Sequence, residues 1–256
     1  MDLRGKVALV TGAGSGIGRA TALRVAAEGA AVVVDDIDDA GGRETVQLIE
    51  AARGRAAFVH ADVSSESDVW RMVSFAQETF GGLDALVNNA GVYISAPFFP
   101  DADVTRWSRV LDVYLRGVML CTHYAIEAMR QRGGGAIVNI SSGAGIGFRS
   151  HDAPEYAAAK AAVARLTAAL APLAEQEGVR VNCVCPGWVD TPASRRTLAS
   201  MTRDEWPASE APATMRTAEE IADAVVELVR DDSLAGRVML YYEGEERRLL
   251  PVEKEG

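Results

Sequence analysis

Short apolar runs at 7–10, 31–34, 56–60, 85–88, 136–140, 179–185 and 237–242 alternate with longer stretches whose apolar positions recur at helical spacing. Those helical stretches are 17–28, 41–52, 66–80, 104–130, 155–176 and 218–229. Most of the short runs are nearly continuous in apolar residues, as in strands covered on both faces, and lack the alternation of a half-solvated sheet. Strand and helix in regular succession predict an α/β fold, a doubly wound parallel sheet of about seven strands with helices on both faces. Connections are short except at 143–153 and 188–216. The second has 29 residues, prolines at 192, 207 and 212 and no clear period, and reads as a substrate loop or lid. No linker, repeat or low-complexity tract divides the chain, so residues 1–256 are expected to form a single domain.

Composition narrows the function classes. A net charge of −10 without a basic stripe argues against a nucleic-acid partner. Mean hydropathy is +0.03 and no 18-residue apolar run or leader pattern occurs, so a cytoplasmic chain without a membrane partner is expected. Cys121, Cys183 and Cys185 make no even framework and no CxxC, and are read as buried free thiols, the last two on one strand face. No His/Cys/Asp cluster has metal-ligand spacing, so no metal is expected. His60 and His123 read as structural or exposed; His151, five before Tyr156, could touch substrate, but a solvated loop residue is the favoured reading.

Lysine is rare here: three residues against 23 arginines. One of them, Lys160, stands four after Tyr156, on the same face if the segment is helical. A nearby ammonium favours phenolate and lowers a tyrosine pKa, which suits Tyr156 to acid/base work near neutrality. An exposed Tyr/Lys helix pair is the alternative at this point. The first apolar run leads into Thr11-Gly12-Ala13-Gly14-Ser15-Gly16-Ile17-Gly18, a G-x-x-x-G-x-G spacing that opens a helix. Glycines there permit a tight turn and close approach of a pyrophosphate to a helix N-terminus. Asp35 and Asp36 close the second run. A carboxylate at that place accepts from both ribose hydroxyls of NAD and repels a 2′-phosphate, and Ser15 brings no cation to offset it, so NAD is favoured over NADP. A merely solvated strand end suits Asp35, Asp38 and Asp39 better than Asp36. Asp62-Val63 follows the third run and reads equally as an N-cap region.

Together with Asn88-Asn89-Ala90-Gly91, Ile140-Ser141-Ser142 and Cys185-Pro186-Gly187 followed by Thr191, these pieces make the chain resemble the short-chain dehydrogenase/reductase family along essentially its whole length, with a Rossmann-type fold. The resemblance implies an NAD-dependent oxidoreductase that interconverts a secondary alcohol and a ketone on a largely apolar small molecule. It implies Tyr156 as proton carrier, Lys160 as its electrostatic partner and ribose ligand, and Ser142, with Ser141 as rival, on the substrate oxygen. It implies cofactor contacts from Gly12, Ser15, Gly16, Ile17, Gly18, Asp36, Asp62, Val63, Asn89, Ala90, Gly91, Pro186, Gly187, Val189 and Thr191, with Asn88 bridging strands. Trp188, Leu198, Met201 and Trp206 are candidate pocket walls. The family's long helices imply a homodimer or homotetramer, although the usual Asp-Gly-Gly tail is replaced by 235–250. One departure stands out: Tyr114 occupies a position where the family usually has an asparagine that extends a proton path from the lysine. The alternative reading is therefore an NAD(H)-binding member, a sensor or partner subunit, with weak or no catalysis.

Overall fold

The computed structural model describes residues 1–200 and 214–251. Each apolar run becomes a strand: β1 (Val7–Thr11), β2 (Ala31–Asp35), β3 (Arg55–Val59), β4 (Ala85–Asn88), β5 (Gly135–Ile140), β6 (Val179–Pro186) and β9 (Val238–Tyr241). All seven pair in parallel. An eighth strand, β10 (Arg248–Leu249), adds antiparallel to β9, giving the order β10-β9-β6-β5-β4-β1-β2-β3 among the described residues. The sheet of about seven strands is as expected; β10 adds one more that carries no sequence period, being two residues in an Arg/Glu-rich tail.

Alternate residues of the central strands serve two cores. Ala8, Val10, Val32 and Val34 pack with α1 (Gly16–Ala27) and α9 (Ala218–Arg230), whereas Val7, Leu9 and Val33 pack with α3 (Glu66–Phe80) and α5 (Val118–Arg130). Fully buried Leu9, Leu86 and Ile137 each contribute roughly 1.5–3 kcal/mol from burial alone. Ser65 caps α3 by accepting from Asp68 N, so Asp62 is not its N-cap. Thr217 and Glu220 form a reciprocal capping box on α9.

Two helical expectations are corrected. The stretch 104–130 is α4 (Val104–Leu111) and α5 separated by a π-helical turn, Asp112–Gly117, that carries Tyr114. The stretch 155–176 is α6 (Pro154–Ala169) followed by the short α7 (Leu173–Glu177). Within the expected lid, β7 (Val189–Asp190) pairs with β8 (Arg216–Thr217), and α8 (Pro192–Ser200) lies between them. Met201 and Trp206 lie outside the described residues. Among the described residues no helix is long and apolar enough to cross a membrane.

The strand order reverses between β1 and β4, which are neighbours in the sheet and lead to opposite halves. In a doubly wound sheet the crevice beyond the carboxyl ends at this switch point is where ligands sit.

Candidate active site

Beyond the end of β1 the chain enters α1 through glycines that have no room for a side chain. A Cβ on Gly18 would stand 2.1 Å from the Gly12 carbonyl oxygen, and one on Gly12 2.8 Å from Ala90 Cα. Gly12 and Gly16 also have positive φ, 62° and 53°. The N-cap Ser15 makes no side-chain cap, and the first turn of α1 carries no acid. Its outward N–H groups therefore suit a pyrophosphate. Gly18→Ala is expected to cost about 3 kcal/mol through overpacking and to abolish dinucleotide binding, measured by thermal melts with and without NADH.

Asp36 directly follows β2, its carboxylate accepting from Gly14 N at 2.7 Å and Asp38 N at 2.9 Å. It is thereby oriented at the rim of the glycine loop. Asp35 is not the solvated strand end expected. It is 1% exposed, with its carboxyl facing the backbone N–H groups of Gly12 and Ala61, and burial, with Asp36 beside it, raises its pKa well above the ordinary value. The strand pattern put it inside: β2 is covered on both faces, so its last residue is buried whatever its polarity.

Asp62 is held by Ser64 and by Arg109 at 2.8 Å. Burial alone would raise its pKa, but those hydrogen bonds and the guanidinium keep it below the usual carboxylate range. Arg109 comes from α4, 47 residues away, and no local signal announces the pair. Asn89 turns its amide to the carbonyls of Thr11 and Gly12, so it fastens the glycine loop to β4. Asn88 bridges strands as expected, donating to Asn139 Oδ1 at 2.8 Å.

At the ends of β5 and α6 the two serines divide their work. Ser141 is buried and donates to the Lys160 carbonyl at 2.7 Å, which occupies it structurally. Ser142 Oγ accepts from Ala144 N at 3.2 Å and lies close enough to Tyr156 to favour its phenolate. Lys160 is 5% exposed and donates from Nζ to the Ile140 carbonyl at 2.7 Å. Its ammonium stands 5.7 Å from the Tyr156 ring centroid and 4.3 Å from that of Tyr114.

The charge states differ from the simple expectation for this pair. Burial raises the Tyr156 pKa, outweighing the effect of Ser142, which lowers it. Burial also pushes Lys160 down to about 8. Desolvation disfavours both charged forms, so in the protein alone the phenol holds its proton.

Cys183 and Cys185 share a face, with sulfurs 3.8 Å apart, and both are buried free thiols, as is Cys121. His151 is exposed, as expected, yet its ring lies 5.8 Å from that of Tyr156; its Nδ1 accepts from Ala153 N at 3.0 Å. Thr191 stands against Gly16, so the loop after β6 closes over the start of α1. Exposed Tyr93, Phe99 and Phe148, on the two loops that follow β4 and β5, supply apolar surface near this end of the sheet.

Comparison with known proteins gives the family. The family model for short chain dehydrogenases matches residues 6–202. The chain is 39% identical to cis-4-hydroxycyclohexanecarboxylate dehydrogenase of Sinomonas cyclohexanicum over 226 residues, 88% of this chain and 90% of that protein. It is 39% identical to cyclohexanol dehydrogenase of Acinetobacter sp. (strain SE19) over 229 residues, 89% of each. Among solved structures, levodione reductase superposes with a TM-score of 0.84 at 31% identity, covering 94% of this chain and 96% of that one.

Proposed function

The chain belongs to the short-chain dehydrogenase family, an oxidoreductase acting on CH–OH donors with a nicotinamide cofactor, and on that premise we propose that it oxidises a secondary alcohol on a largely apolar, cyclic small molecule with NAD, Tyr156 carrying the proton. The observation that carries this reading is that Ser142, just after β5, and Tyr156 and Lys160, in the first turns of α6, gather at the same edge of the parallel sheet as the glycine loop after β1.

NAD, when bound, supplies the hydride acceptor. The residues present fit it: a glycine turn packed too tightly for side chains, an uncapped helix N-terminus, and a carboxylate at the ribose position. Ser142 holds the substrate oxygen next to the Tyr156 phenol. Tyr156, as phenolate, takes the hydroxyl proton, and in the reverse direction returns it to the carbonyl oxygen. Lys160 supplies positive charge behind the phenolate in a site of low dielectric, where a single charge counts for more than in water. Asp36, and the absence of a cation at Ser15, support NAD over NADP.

The apolar loops bearing Tyr93, Phe99, Phe148 and Trp188 favour a carbon skeleton over a polar substrate. The two relatives named for cyclohexane alcohols support a ring as that skeleton. By the same resemblance the assembly is a homodimer or homotetramer. Turnover on a panel of cyclic and acyclic secondary alcohols with both cofactors tests the reading; rates confined to linear polyols, or NADP preferred throughout, would refute it. Asp36→Ala is expected to narrow the NAD/NADP ratio of kcat/KM by at least about tenfold, the value of a charge-assisted contact.

A further inference from the structure

An ammonium group has three N–H donors. Among the described residues, Lys160 Nζ has one hydrogen-bond acceptor, the Ile140 carbonyl, and two aromatic rings, Tyr114 at 4.3 Å and Tyr156 at 5.7 Å. The nearer and better-placed ring is that of Tyr114. Its hydroxyl is already spent, donating to the Val92 carbonyl at 2.8 Å, and its edge meets Tyr156 with centroids 5.2 Å apart at 77°. Burial raises its pKa, so it remains a neutral phenol. The backbone is shaped around it. Residues 112–117 form a π-helical turn, and a Cβ on Gly91 would come within 2.7 Å of the Tyr114 hydroxyl oxygen. Only a residue without a side chain at 91 lets the ring reach Lys160.

We propose that Tyr114 is a positioning residue that holds Lys160 through its ring face and closes the ammonium off from solvent, so that the proton exchanged at Tyr156 reaches water across the substrate cleft and not past the lysine. The proposal rests on the reading of Tyr156 and Lys160 as the acid/base pair. A phenol tied to a backbone carbonyl is not free to pass a proton, and its ring covers one side of Nζ, in a side chain that is already buried. The ring face supplies electrostatic attraction in exchange. The contact also links Lys160 to Val92, at the start of the loop that bears Tyr93 and Phe99, and so joins the buried charge to the substrate wall.

With three lysines in the chain, the Lys160 ammonium is resolvable by NMR after 15Nζ-lysine labelling, with no turnover required. The ammonium protons of Lys160 should exchange with solvent at least about tenfold more slowly than those of Lys6, which is half-exposed. Tyr114→Phe should keep this protection and the pH profile of kcat, because the ring face remains. Tyr114→Asn should lose the protection and shift that profile, because water gains access to Nζ. Exchange at Lys160 in the unaltered protein as fast as at Lys6, or identical exchange in Tyr114→Asn and the parent, overturns the proposal. Because the readout is independent of catalysis, slow exchange in a protein that turns over no alcohol would uphold the seal and refute the enzymatic reading.

Discussion

Tyr156→Phe is expected to lower kcat by about 10²–10⁴-fold, the range ascribed to a positioned acid/base, while NADH binding stays within about threefold. The substitution removes one oxygen. It leaves the ring packed against Tyr114 and leaves Lys160 bonded to Ile140, so the fold and the glycine loop are undisturbed. A loss in kcat and kcat/KM together, with unchanged cofactor binding, marks an interaction used in the transition state. The chemistry also sets the pH dependence. Burial raises the phenol pKa in the protein alone, so the rate of alcohol oxidation should climb with pH as the phenolate becomes populated. In Tyr156→Phe that limb should vanish. Stopped-flow measurement of NADH formation across pH reads both effects.

Lys160→Met separates activity from stability. Lys160 is buried, and desolvation lowers its pKa from 10.5 to about 8. Because the folded-state value is depressed, the unfolded chain binds the proton more readily. Below about pH 8 the folded state carries the full cost of burying the charge, and that cost disappears as pH rises from about 8 to 10.5. Methionine removes the cost at all pH values, at the expense of leaving the Ile140 carbonyl without its donor. The variant should be more stable than the parent at pH 7 by up to about 3 kcal/mol. It should also lose the rise in stability that the parent shows between pH 8 and 10.5, while losing at least about 10²-fold in kcat. Chemical denaturation at pH 6, 8 and 10 checks the first two claims. A variant less stable than the parent at every pH would mean that the contacts of the ammonium outweigh its desolvation. Such a gain in stability with loss of function is the usual mark of a residue retained for chemistry.

Much of this was legible in the residues. The apolar runs placed seven strands because a parallel sheet covered on both faces leaves nearly continuous hydrophobic segments. The order of motifs placed Ser142, Tyr156 and Lys160 on elements that do meet. What remained hidden depends on distant or irregular contacts. The π-helical turn that presents Tyr114 has no sequence period of its own. The Arg109–Asp62 pair spans 47 residues, and β10 is two residues long in a charged tail. The residue type of Asp35 suggests solvent, while its place at the covered end of β2 dictates burial. The Tyr156/Lys160 spacing shows only the mutual effect of their charges. Desolvation, which shifts Tyr156 upward and Lys160 downward, depends on how deeply the packing of β5, β6 and α6 buries them.

NAD-linked oxidation of a cyclic secondary alcohol with Tyr156 as proton carrier is read by following NADH formation from cyclohexanol-type substrates in the unaltered protein and in Tyr156→Phe, with NADH binding titrated by fluorescence in both. Turnover with NAD should exceed that with NADP, the variant should lose at least about a hundredfold in rate, and NADH affinity should be equal in the two proteins. Equal turnover in the two proteins, or tight NADH binding with no alcohol oxidised by either, would contradict this assignment.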